Sequence, residues 1–447
     1  MSRRLLTVLL LLVLVATLGG STASAQEAVS ITIRCKANPP TEDWRCNNFA
    51  EVEAEVEAAL GIDLELTLIQ DNVDWGPNKN EFVLASEAGE APDIVLSGHE
   101  DIGSWAEAGI IIPLDDRIAE YEQFADVVPS LWESMKGTDG QIYAVPQDAE
   151  ARPLYFSKLL LADLGWSEDE IAALPEQIES GAFTFADMID VAEQAVEEGV
   201  VEPGNGFWHR PRNGPDFLYY YYAMGGEILD EAGTLVFDRA AAQAVYEQFA
   251  DMRARGVMGD AHLGIEWSEW HTAVSSAENV LFWAGGTWNW ADWAVNYVAD
   301  QGGEEYLLEN IGFALIPAME TGTPITLTHP LAYMISAGSE HPDVAMALLA
   351  AITTPEANNR HAIDSFHLGI LNTQLESEEY QNSLLGQTHY MLDYATFLPN
   401  HPGFNSWSEA YWLGIQAVES GELEPAAAVD VVVDQITNEL GDSVVIR

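Results

Sequence analysis

The apolar positions of the chain switch between two spacings. Residues 29–35 carry apolar side chains at alternate positions, which is typical of a half-buried strand, and residues 62–69 repeat the pattern. Between them, Phe49, Val52 and Val56 recur at the spacing of one helical face. A strand, a helix and a second strand joined by short connections predict an open, mostly parallel sheet.

The same two spacings predict elements along the rest of the chain. Further strands are predicted at residues 93–96, 141–145, 152–157, 279–283, 311–316 and 331–336. Helices are predicted at residues 47–60, 82–88, 100–108, 185–198, 215–224, 240–255, 267–276, 342–352, 405–418 and 424–440. The 447 residues contain no fixed-period repeat and no floppy linker, yet they exceed the size of one hydrophobic core. The sequence therefore predicts two lobes joined by several close strands.

The N-terminal segment has the features of an export signal. Arg3 and Arg4 precede a largely apolar stretch at 5–18, and a small–x–small cleavage pattern ends at Ala25. That stretch is too short for a membrane span, and no cysteine lies near the cleavage point to accept a lipid anchor. We therefore predict that residues 1–25 are a signal peptide and that the mature protein is periplasmic or extracellular.

Cys35 and Cys46 are the two cysteines of the chain. In an oxidising compartment two such cysteines are expected to form a disulfide, with free buried thiols as the alternative. No histidine lies near them in the sequence and the other histidines are scattered, so the sequence predicts no metal site.

Acidic side chains dominate the charge of the chain. There are 17 Lys and Arg against 72 Asp and Glu, a formal net charge of -55. Such a surface repels phosphate backbones and anionic lipid headgroups, which argues against a nucleic-acid partner. Glu51 and Glu55 form a like-charged pair on one predicted helix, as do Glu53 and Glu57, and salt would screen this repulsion. A salt-adapted source and acidic drift of an extracellular protein both explain the charge.

Sequence templates for catalysis are missing. The chain has no G-x-S-x-G nucleophile elbow, no G-x-x-x-x-G-K phosphate loop and no H-E-x-x-H zinc motif. Carboxylate pairs arise by chance in so acidic a chain, so they do not indicate a glycosidase. Catalysis is possible but no motif indicates it, so a secreted carbohydrate-active enzyme stays the alternative to a binding protein that is not an enzyme and needs no cofactor.

Tryptophans follow several predicted strands. The chain has 14 of them; Trp288 opens a predicted helix after the strand at 279–283, and Trp44 and Trp75 follow the first two strands. Open α/β sheets bind ligands at the carboxyl ends of their strands. Because a sugar presents apolar C–H faces and a rim of hydroxyls, aromatic rings beside polar side chains indicate a carbohydrate site. Packing in the core is the alternative use of these rings.

Four segments resemble motifs of the family 1 extracellular solute-binding proteins. Residues 140–158 resemble the family's "G-x-x-Y-A-x-P … Y-N-K-x-L" crossover, with Phe-Ser at 156–157 in place of the usual Tyr-Asn. Residues 91–95 resemble the "A-P-D-I/V" strand, 107–115 the "x-x-G-L-L-x-P-L-D" segment, and 286–288 the "G-P-W" or "G-S-W" turn. The motifs occur in the family's order, and the resemblance extends over essentially the whole mature chain.

The resemblance implies an α/β, type II-like periplasmic-binding-protein fold of two lobes, each a mixed sheet flanked by helices, around a hinged cleft. Proteins of this family are sugar receptors of ATP-binding-cassette importers, in which the cleft closes on ligand and the closed form docks on a membrane permease. We expect a monomer. The implied boundaries are 28–147 plus 332–378 for lobe one, 148–331 plus 379–447 for lobe two, and crossovers near Gln147, Leu331 and residues 373–380.

The family's ligand-facing loops, carried over position by position, provide candidate binding residues. These are Asp43, Trp44, Asp74, Trp75, His99 and Glu100 in lobe one; Asp148, Glu150 and Arg152 at the crossover; and Trp208, His209, Arg210, Asp216, Trp288, Asn289, Trp407, Tyr411 and Trp412 in lobe two. Solvated loops, helix caps, core packing and a structural pair of Glu150 with Arg152 are the competing uses of these side chains.

The arginines of this set leave the charge of the ligand open. Arg210 and Arg212 lie beside His209, and an arginine in a cleft can grip a carboxylate or a phosphate through two hydrogen bonds. A neutral sugar bound through its hydroxyls is the first hypothesis, and a sugar acid or sugar phosphate is its variant. A cationic solute such as a polyamine is the rival in the same fold, and these arginines argue against it.

Overall fold

The computed structural model describes residues 28–230, 232–259 and 262–447. The predicted signal peptide lies outside these residues. Within them, no helix is both long enough and apolar enough to cross a membrane.

The strands form two main sheets and two short ribbons. They are β1 (Ala28–Lys36), β2 (Asp63–Asp71), β3 (Ile94–Gly98), β4 (Ala144–Pro146), β5 (Leu154–Ser157), β6 (Phe207–Trp208), β7 (Leu235–Phe237), β8 (Phe282–Ala284), β9 (Ile311–Ala314), β10 (Thr326–Leu327), β11 (Leu331–Ile335), β12 (Ala395–Thr396) and β13 (Val444–Ile446). The first sheet has the order β2-β1-β3-β11-β4 and the second sheet the order β6-β8-β5-β9. The ribbons pair β10 with β12 and β7 with β13.

Helices surround both sheets. They are α1 (Trp44–Leu60), α2 (Trp75–Ala88), α3 (Asp101–Glu107), α4 (Asp115–Ile118), α5 (Pro129–Ser134), α6 (Lys158–Asp163), α7 (Glu168–Glu179), α8 (Phe185–Glu197), α9 (Leu218–Ala223), α10 (Arg239–Ala254), α11 (Trp267–Ser275), α12 (Asn289–Asp292), α13 (Glu304–Asn310), α14 (Pro342–Ile352), α15 (Pro355–Ser365), α16 (Asn372–Leu375), α17 (Glu378–Asn382), α18 (Leu384–Thr388), α19 (Phe404–Glu419) and α20 (Pro425–Leu440). Helix α14 has the predicted bounds, and α8 ends one residue before its predicted end.

Local sequence signals explain where several helices begin and end. Ser167 and Glu170 form a reciprocal capping box at the start of α7, and Thr184 and Asp187 form another at the start of α8. Gly61 ends α1 in the left-handed conformation, with φ of 69°, which glycine adopts without a steric penalty.

Both main sheets are mixed, which confirms the α/β class of two mixed-sheet lobes, and in the first sheet four of the five strands, β1 to β4, run in one direction, as expected of a mostly parallel sheet. In the first sheet β1 is parallel to β2 and β3, but β11 is antiparallel to β3 and β4. In the second sheet β5 is antiparallel to β8 and β9. The chain returns from the second sheet just before β11. This strand therefore begins beside the last residues of β3 and β4 and runs against them.

Each main sheet has a hydrophobic core of its own. In the first sheet Ile33 and Leu96 pack with Phe49 of α1 and with the apolar face of α14. In the second sheet Phe156 and Phe282 lie in one core, and the alternate side chains of the same two strands lie in another. Because the strands of each sheet pack into cores of their own, the junction between the sheets lies at the segments that join them.

Cys35 at the end of β1 is bonded to Cys46 in α1, with a Cα–Cα distance of 5.8 Å, which confirms the predicted disulfide. Both cysteines are fully buried. The bond ties the start of α1, and Arg45 within it, to the first sheet.

Candidate ligand-binding site

Three stretches of chain that run between the sheets lie side by side. They are residues 147–153, 328–331 and 366–371, here called the crossing segments. The Gln147 N–H donates to the Leu331 carbonyl at 2.8 Å. Ala149 and Leu368 exchange two backbone hydrogen bonds, of 3.0 and 2.6 Å. The crossing segments thus form a hydrogen-bonded band between the sheets, and polar side chains gather around it.

The first group of side chains, the hinge cluster, consists of Arg45, Asp148, His361 and His367. Asp148 is 1% exposed, and its Oδ2 lies 3.1 Å from both Arg45 Nη2 and His361 Nε2. Its Oδ1 accepts a hydrogen bond from the Leu331 N–H at 3.1 Å. His367 Nε2 lies 3.1 Å from Arg45 Nη2. Asp148 therefore connects α1, α15 and two of the crossing segments.

The hinge cluster is an ion-pair network. Burial alone would raise the pKa of Asp148, but His367 and Arg45 lower it far below its ordinary value. Burial also lowers the pKa of His361 and of His367, so both imidazoles are neutral at neutral pH. The ligand atoms of Asp148, His361 and His367 lie within 4.8 Å of one another, as they would around a metal ion. Because the Arg45 guanidinium lies among these atoms, the position is already held by a cation.

The second group, the platform cluster, consists of Arg152, Arg210, Asp216, Trp267 and Trp288. Trp288 follows β8 at the edge of the second sheet. The guanidinium carbons of Arg152 and Arg210 lie 4.8 and 5.3 Å from its ring centroid, within the range of a cation–π contact. Arg210 also lies 4.8 Å from the Trp267 ring. The His367 ring stacks on Trp288 at 5.6 Å and 14° between the planes. The indole platform is thus bordered by cations and joined to the hinge cluster.

Asp216 holds both arginines of the platform cluster. It is 2% exposed, with Oδ1 at 2.9 Å from Arg152 Nη1 and Oδ2 at 3.4 Å from Arg210 Nη1. Arg152 also donates to Glu150. Burial would lower the pKa of Arg152, but Asp216 and Glu150 raise it above its ordinary value. Burial lowers the pKa of Arg210, Asp216 offsets this only in part, and Arg152 lowers it further. The charge of Arg210 is therefore less compensated by neighbouring carboxylates than the charge of Arg152.

The third group, the first-sheet wall, consists of Lys79, His99, Glu100 and His329. Glu100 follows β3, and its two oxygens lie 2.5 Å from Lys79 Nζ and 2.5 Å from His329 Nε2. His329 Nδ1 lies 3.5 Å from Glu150 Oε1. Since Glu150 also accepts from an arginine of the platform cluster, it links the first-sheet wall to that cluster.

The two histidines of the first-sheet wall have opposite pKa shifts. Burial would lower the pKa of His329, but Glu100 and Glu150 raise it to about 9. Burial, and then the charge of His329, lower the pKa of His99 to about 4. At neutral pH His329 is therefore a cation and His99 is neutral, with its Nδ1 2.8 Å from Asn400 Oδ1.

A glycine lies beneath the functional side chain on each side of the site. A Cβ on Gly286, which follows β8, would lie 2.0 Å from ring atoms of Trp288. A Cβ on Gly98, the last residue of β3, would lie 2.2 Å from Glu100 Oε2 and 2.6 Å from His329 Nε2. Both side chains lie back over the end of their sheet, which only a residue without Cβ permits.

Four predicted residues of the first-sheet side lie outside these groups: Asp43, Trp44, Asp74 and Trp75. The Trp44 indole N–H donates to a carboxylate of α15 at 2.7 Å, and Asp43 accepts from a glutamine of β2 at 3.0 Å. Asp74 is exposed at the start of α2, and the Trp75 ring lies 5.3 Å from the ammonium of a lysine in β1. These side chains form the rim of the first sheet rather than its junction with the second.

Six predicted residues are buried within the second-sheet side: Trp208, His209, Asn289, Trp407, Tyr411 and Trp412. His209 Nε2 lies 2.7 Å from a carboxylate oxygen of α19. The Trp407 indole donates to a backbone carbonyl of β7, and Asn289 accepts from the Gly286 N–H. The structure does not bring these side chains into the platform cluster, because their polar atoms are used in interior contacts.

Six residues of the three groups were not predicted from the sequence: Arg45, Lys79, Trp267, His329, His361 and His367. Lys79 is one of only four lysines, so the scarcity of basic residues was an available signal. The histidines come from separate stretches with no recurring spacing, and only the fold brings them together.

A groove with a volume of about 1030 Å³ lies apart from the platform cluster. Residues from both sides line it, among them Glu133 and Lys136 between β3 and β4, and Phe397 and His401 before α19. Asn400 and Phe397 both line it and both contact His99, so they connect the groove to the first-sheet wall.

Comparison with known proteins connects this geometry to a family. The maltotriose-binding protein of Pyrococcus abyssi (strain GE5 / Orsay) is 29% identical over 101 residues, which are 22% of this chain and only 21% of that protein. The GacH receptor of Streptomyces glaucescens GLA.O has a TM-score of 0.74 at 21% identity, covering 93% of this chain and 99% of that one. Maltose-bound MalE3 of T. maritima has a TM-score of 0.73 at 17% identity, covering 92% and 99%.

The two solved structures share the two-lobe fold with this chain. The family model described as bacterial extracellular solute-binding protein matches residues 52–359, more than half of the chain. The family and its fold are those of binding proteins rather than enzymes. The chain therefore belongs to the bacterial extracellular solute-binding proteins.

Proposed function

We propose that the protein is a carbohydrate receptor that delivers its ligand to an ATP-binding-cassette importer and catalyses no reaction. The observation that carries the proposal is the Trp288 platform, whose indole lies where the two sheets meet and is bordered by Arg152 and Arg210, both of which pair with Asp216. An indole face matches the C–H face of a sugar ring, and charged groups around it match the hydroxyl rim.

The related proteins support a sugar as ligand. The Pyrococcus abyssi relative is a maltotriose-binding protein, the GacH receptor was solved in complex with acarbose, and MalE3 of T. maritima was solved with maltose. Their sequences are distant from this chain, so they support the class of ligand and not its identity.

Binding would act through closure of the two lobes. In this proposal lobe one is 28–147 plus 332–378, lobe two is 148–331 plus 379–447, and the crossing segments act as the hinge. A ligand shifts such an equilibrium only if it binds the closed form more tightly than the open form. It must therefore contact the platform cluster and the first-sheet wall together.

The remaining predictions complete the proposal. The protein would be exported, its signal peptide cleaved after Ala25, and it would act as a monomer that docks on a membrane permease. The predicted binding residues that lie around the crossing segments are Trp288, Arg152, Arg210, Asp216, Glu150, Glu100, His99 and Asp148, the last of which belongs to the hinge cluster. The rim residues Asp43, Trp44, Asp74 and Trp75 would contact only a ligand that extends beyond this centre.

A ligand panel followed by thermal denaturation tests the proposal. Neutral mono- and oligosaccharides, uronates, sugar phosphates and polyamines would each be added in excess, and a bound ligand raises the melting temperature by mass action. Stabilisation by a saccharide without turnover is the expected result. Turnover of an oligosaccharide would instead support a secreted enzyme, and stabilisation by polyamines alone would contradict the carbohydrate assignment.

A further inference from the structure

We infer that the saccharide bound at the platform cluster is acidic, with one carboxylate that is held by Arg210 and Arg152. The inference rests on the proposed function and narrows it to a substrate class. It follows from which hydrogen-bonding atoms of the site already have partners and which do not.

Two arginine N–H groups beside Trp288 have no hydrogen-bond partner in the part of the chain that the structure describes. Among the described residues, the Nε atoms of Arg152 and Arg210 are buried without a hydrogen-bond partner. Arg152 is 2% exposed, so its Nε atom is shielded from bulk solvent. A buried N–H that lacks an acceptor is costly, and native structures rarely retain one without a reason. Two such guanidinium groups around one indole indicate a ligand that supplies acceptors.

The carboxylates of the site are already engaged. Both oxygens of Asp216 contact arginines, and both oxygens of Glu100 contact the cations Lys79 and His329. Glu150 accepts from Arg152 and lies 3.5 Å from His329. A neutral sugar needs acceptors for its hydroxyl protons as well as donors for its oxygens. A carboxylate needs donors only, and the two unpartnered guanidinium N–H groups beside Trp288 are donors.

An anionic ligand would compensate the charge of Arg210 more than that of Arg152. Its single ion-pair contact, with Asp216, is long at 3.4 Å, whereas Arg152 has two carboxylate partners. Trp267 and Trp288 hold the guanidinium between two indole faces, which leaves its edge as the route for hydrogen bonds. An arginine edge presents N–H groups in the geometry of a bidentate carboxylate pair.

One negative charge fits the site better than two. Asp216 and Glu150 both contact Arg152, and Asp216 also contacts Arg210, so two negative charges already lie at the arginines, and like charges in a buried site repel strongly. A phosphate monoester carries almost two charges at neutral pH and meets more of this repulsion than a carboxylate does. The geometry thus favours a uronic acid over a sugar phosphate.

Matched pairs of ligands test the inference. Glucuronate, galacturonate, mannuronate and guluronate, each with one carboxylate, would each be compared with its methyl ester, which keeps the shape and removes the charge. We expect an acid form to bind about 10- to 100-fold more tightly than its ester, by calorimetry. This difference should shrink as salt is raised, because salt screens the charge–charge attraction.

Substitutions of Arg210 test whether this residue causes the preference for the acid over the ester. Arg210→Met keeps the apolar stem between the indoles and removes the charge, and Arg210→Lys keeps the charge without the planar fork. In Arg210→Met the acid-to-ester affinity ratio should fall to near one, and Arg210→Lys should retain part of it. Arg239→Gln removes an arginine that pairs with Asp430 on the surface, so it should leave the ratio unchanged.

The outcomes separate the inference from the proposed function. Equal or tighter binding of the esters, or of neutral sugars or sugar phosphates, overturns the acidic-saccharide inference while the receptor function stands. An acid preference that survives Arg210→Met overturns the role of this arginine. If no saccharide of any class binds, the proposed function fails together with the inference.

Discussion

The two sides of the site differ in chemistry, although each has a functional side chain lying over a glycine at the end of a strand. On each side a strand ends, a glycine follows or closes it, and a functional side chain lies back over that glycine. On the first-sheet wall the side chain is Glu100, surrounded by Lys79 and His329, and contacts are ionic. On the second sheet it is Trp288, surrounded by arginines, and contacts are with the face of a ring.

This difference assigns complementary tasks to the two sides. An indole recognises the flat apolar face of a ligand and is insensitive to salt and pH. A carboxylate with two cations recognises the edge of a ligand and depends on protonation. Glu150 contacts both groups, so the two modes of recognition are coupled through one crossing segment.

The largest effect on stability is expected at Asp148, which connects α1 and α15 to two of the crossing segments. Asp148→Asn removes the buried carboxylate that contacts Arg45 and His361, while Glu42 still pairs with Arg45 at 2.6 Å, and should lower the free energy of unfolding by about 2–4 kcal/mol, measured by urea denaturation. Asp116→Asn, at an exposed position of α4, is the matched control and should change it by less than about 0.5 kcal/mol. A small effect of Asp148→Asn would mean that the crossing segments hold together without the hinge cluster.

Removing the platform should affect binding far more than folding. Trp288→Ala should abolish ligand-induced stabilisation, a loss of about 2–4 kcal/mol in binding free energy, as for an aromatic hot spot. Trp166→Ala removes a partly buried tryptophan that packs on Phe183, away from the site, and controls for general destabilisation. Unaltered ligand binding by Trp288→Ala would remove this residue from the site.

Alanine substitutions at the two glycines compare the platform cluster with the first-sheet wall directly. Gly286→Ala should displace the Trp288 ring, and Gly98→Ala should displace Glu100 and His329, each at a cost of about 1–3 kcal/mol of strain. The first variant should weaken ligand binding with no change in the titration of His329. The second should move the pKa of His329 back toward its ordinary value, which proton NMR measures. Equal effects of both variants on both readouts would contradict the division of tasks.

The smallest effect is a pH dependence of stability that belongs to the first-sheet wall alone. The pKa of His329 is raised from 6.5 to about 9, so protonation stabilises the folded state. That contribution, about 1–3 kcal/mol, is fully present below pH 6.5 and is lost as the pH rises from 6.5 to 9. Thermal denaturation across this range should show the loss in the parent protein and in His341→Gln, at the start of α14. It should be missing in His329→Gln.

The sequence predicted the fold better than the site. Strand and helix periods placed β1, β2, β3 and β11 to within about two residues, because buried positions repeat along one element. The family motifs placed Trp288 and Glu150 for a related reason, since each lies at a fixed distance from a strand end.

The rest of the site could not be predicted, for two physical reasons. His329 and His367 reach it from crossing segments that have no periodic pattern, and their role depends on partners far away in the sequence. Trp407 and Tyr411 show the opposite error. They lie four residues apart on one face of α19, and an aromatic face at that spacing packs into a core, as it does here.

The concentration of basic side chains at the site has a consequence for proteolysis. Trypsin cuts only after Lys and Arg, of which the chain has 17, and Arg45 and Arg152, which the site uses, are each 2% exposed. A protease that must extend several residues of backbone in its own active site cannot reach them while the sheets remain in contact. Because Pro153 follows Arg152, trypsin does not cut there, and cutting after Arg45 would occur only when the hinge cluster separates. Where opening and reclosing are fast, the rate of that cut measures how much of the protein is open.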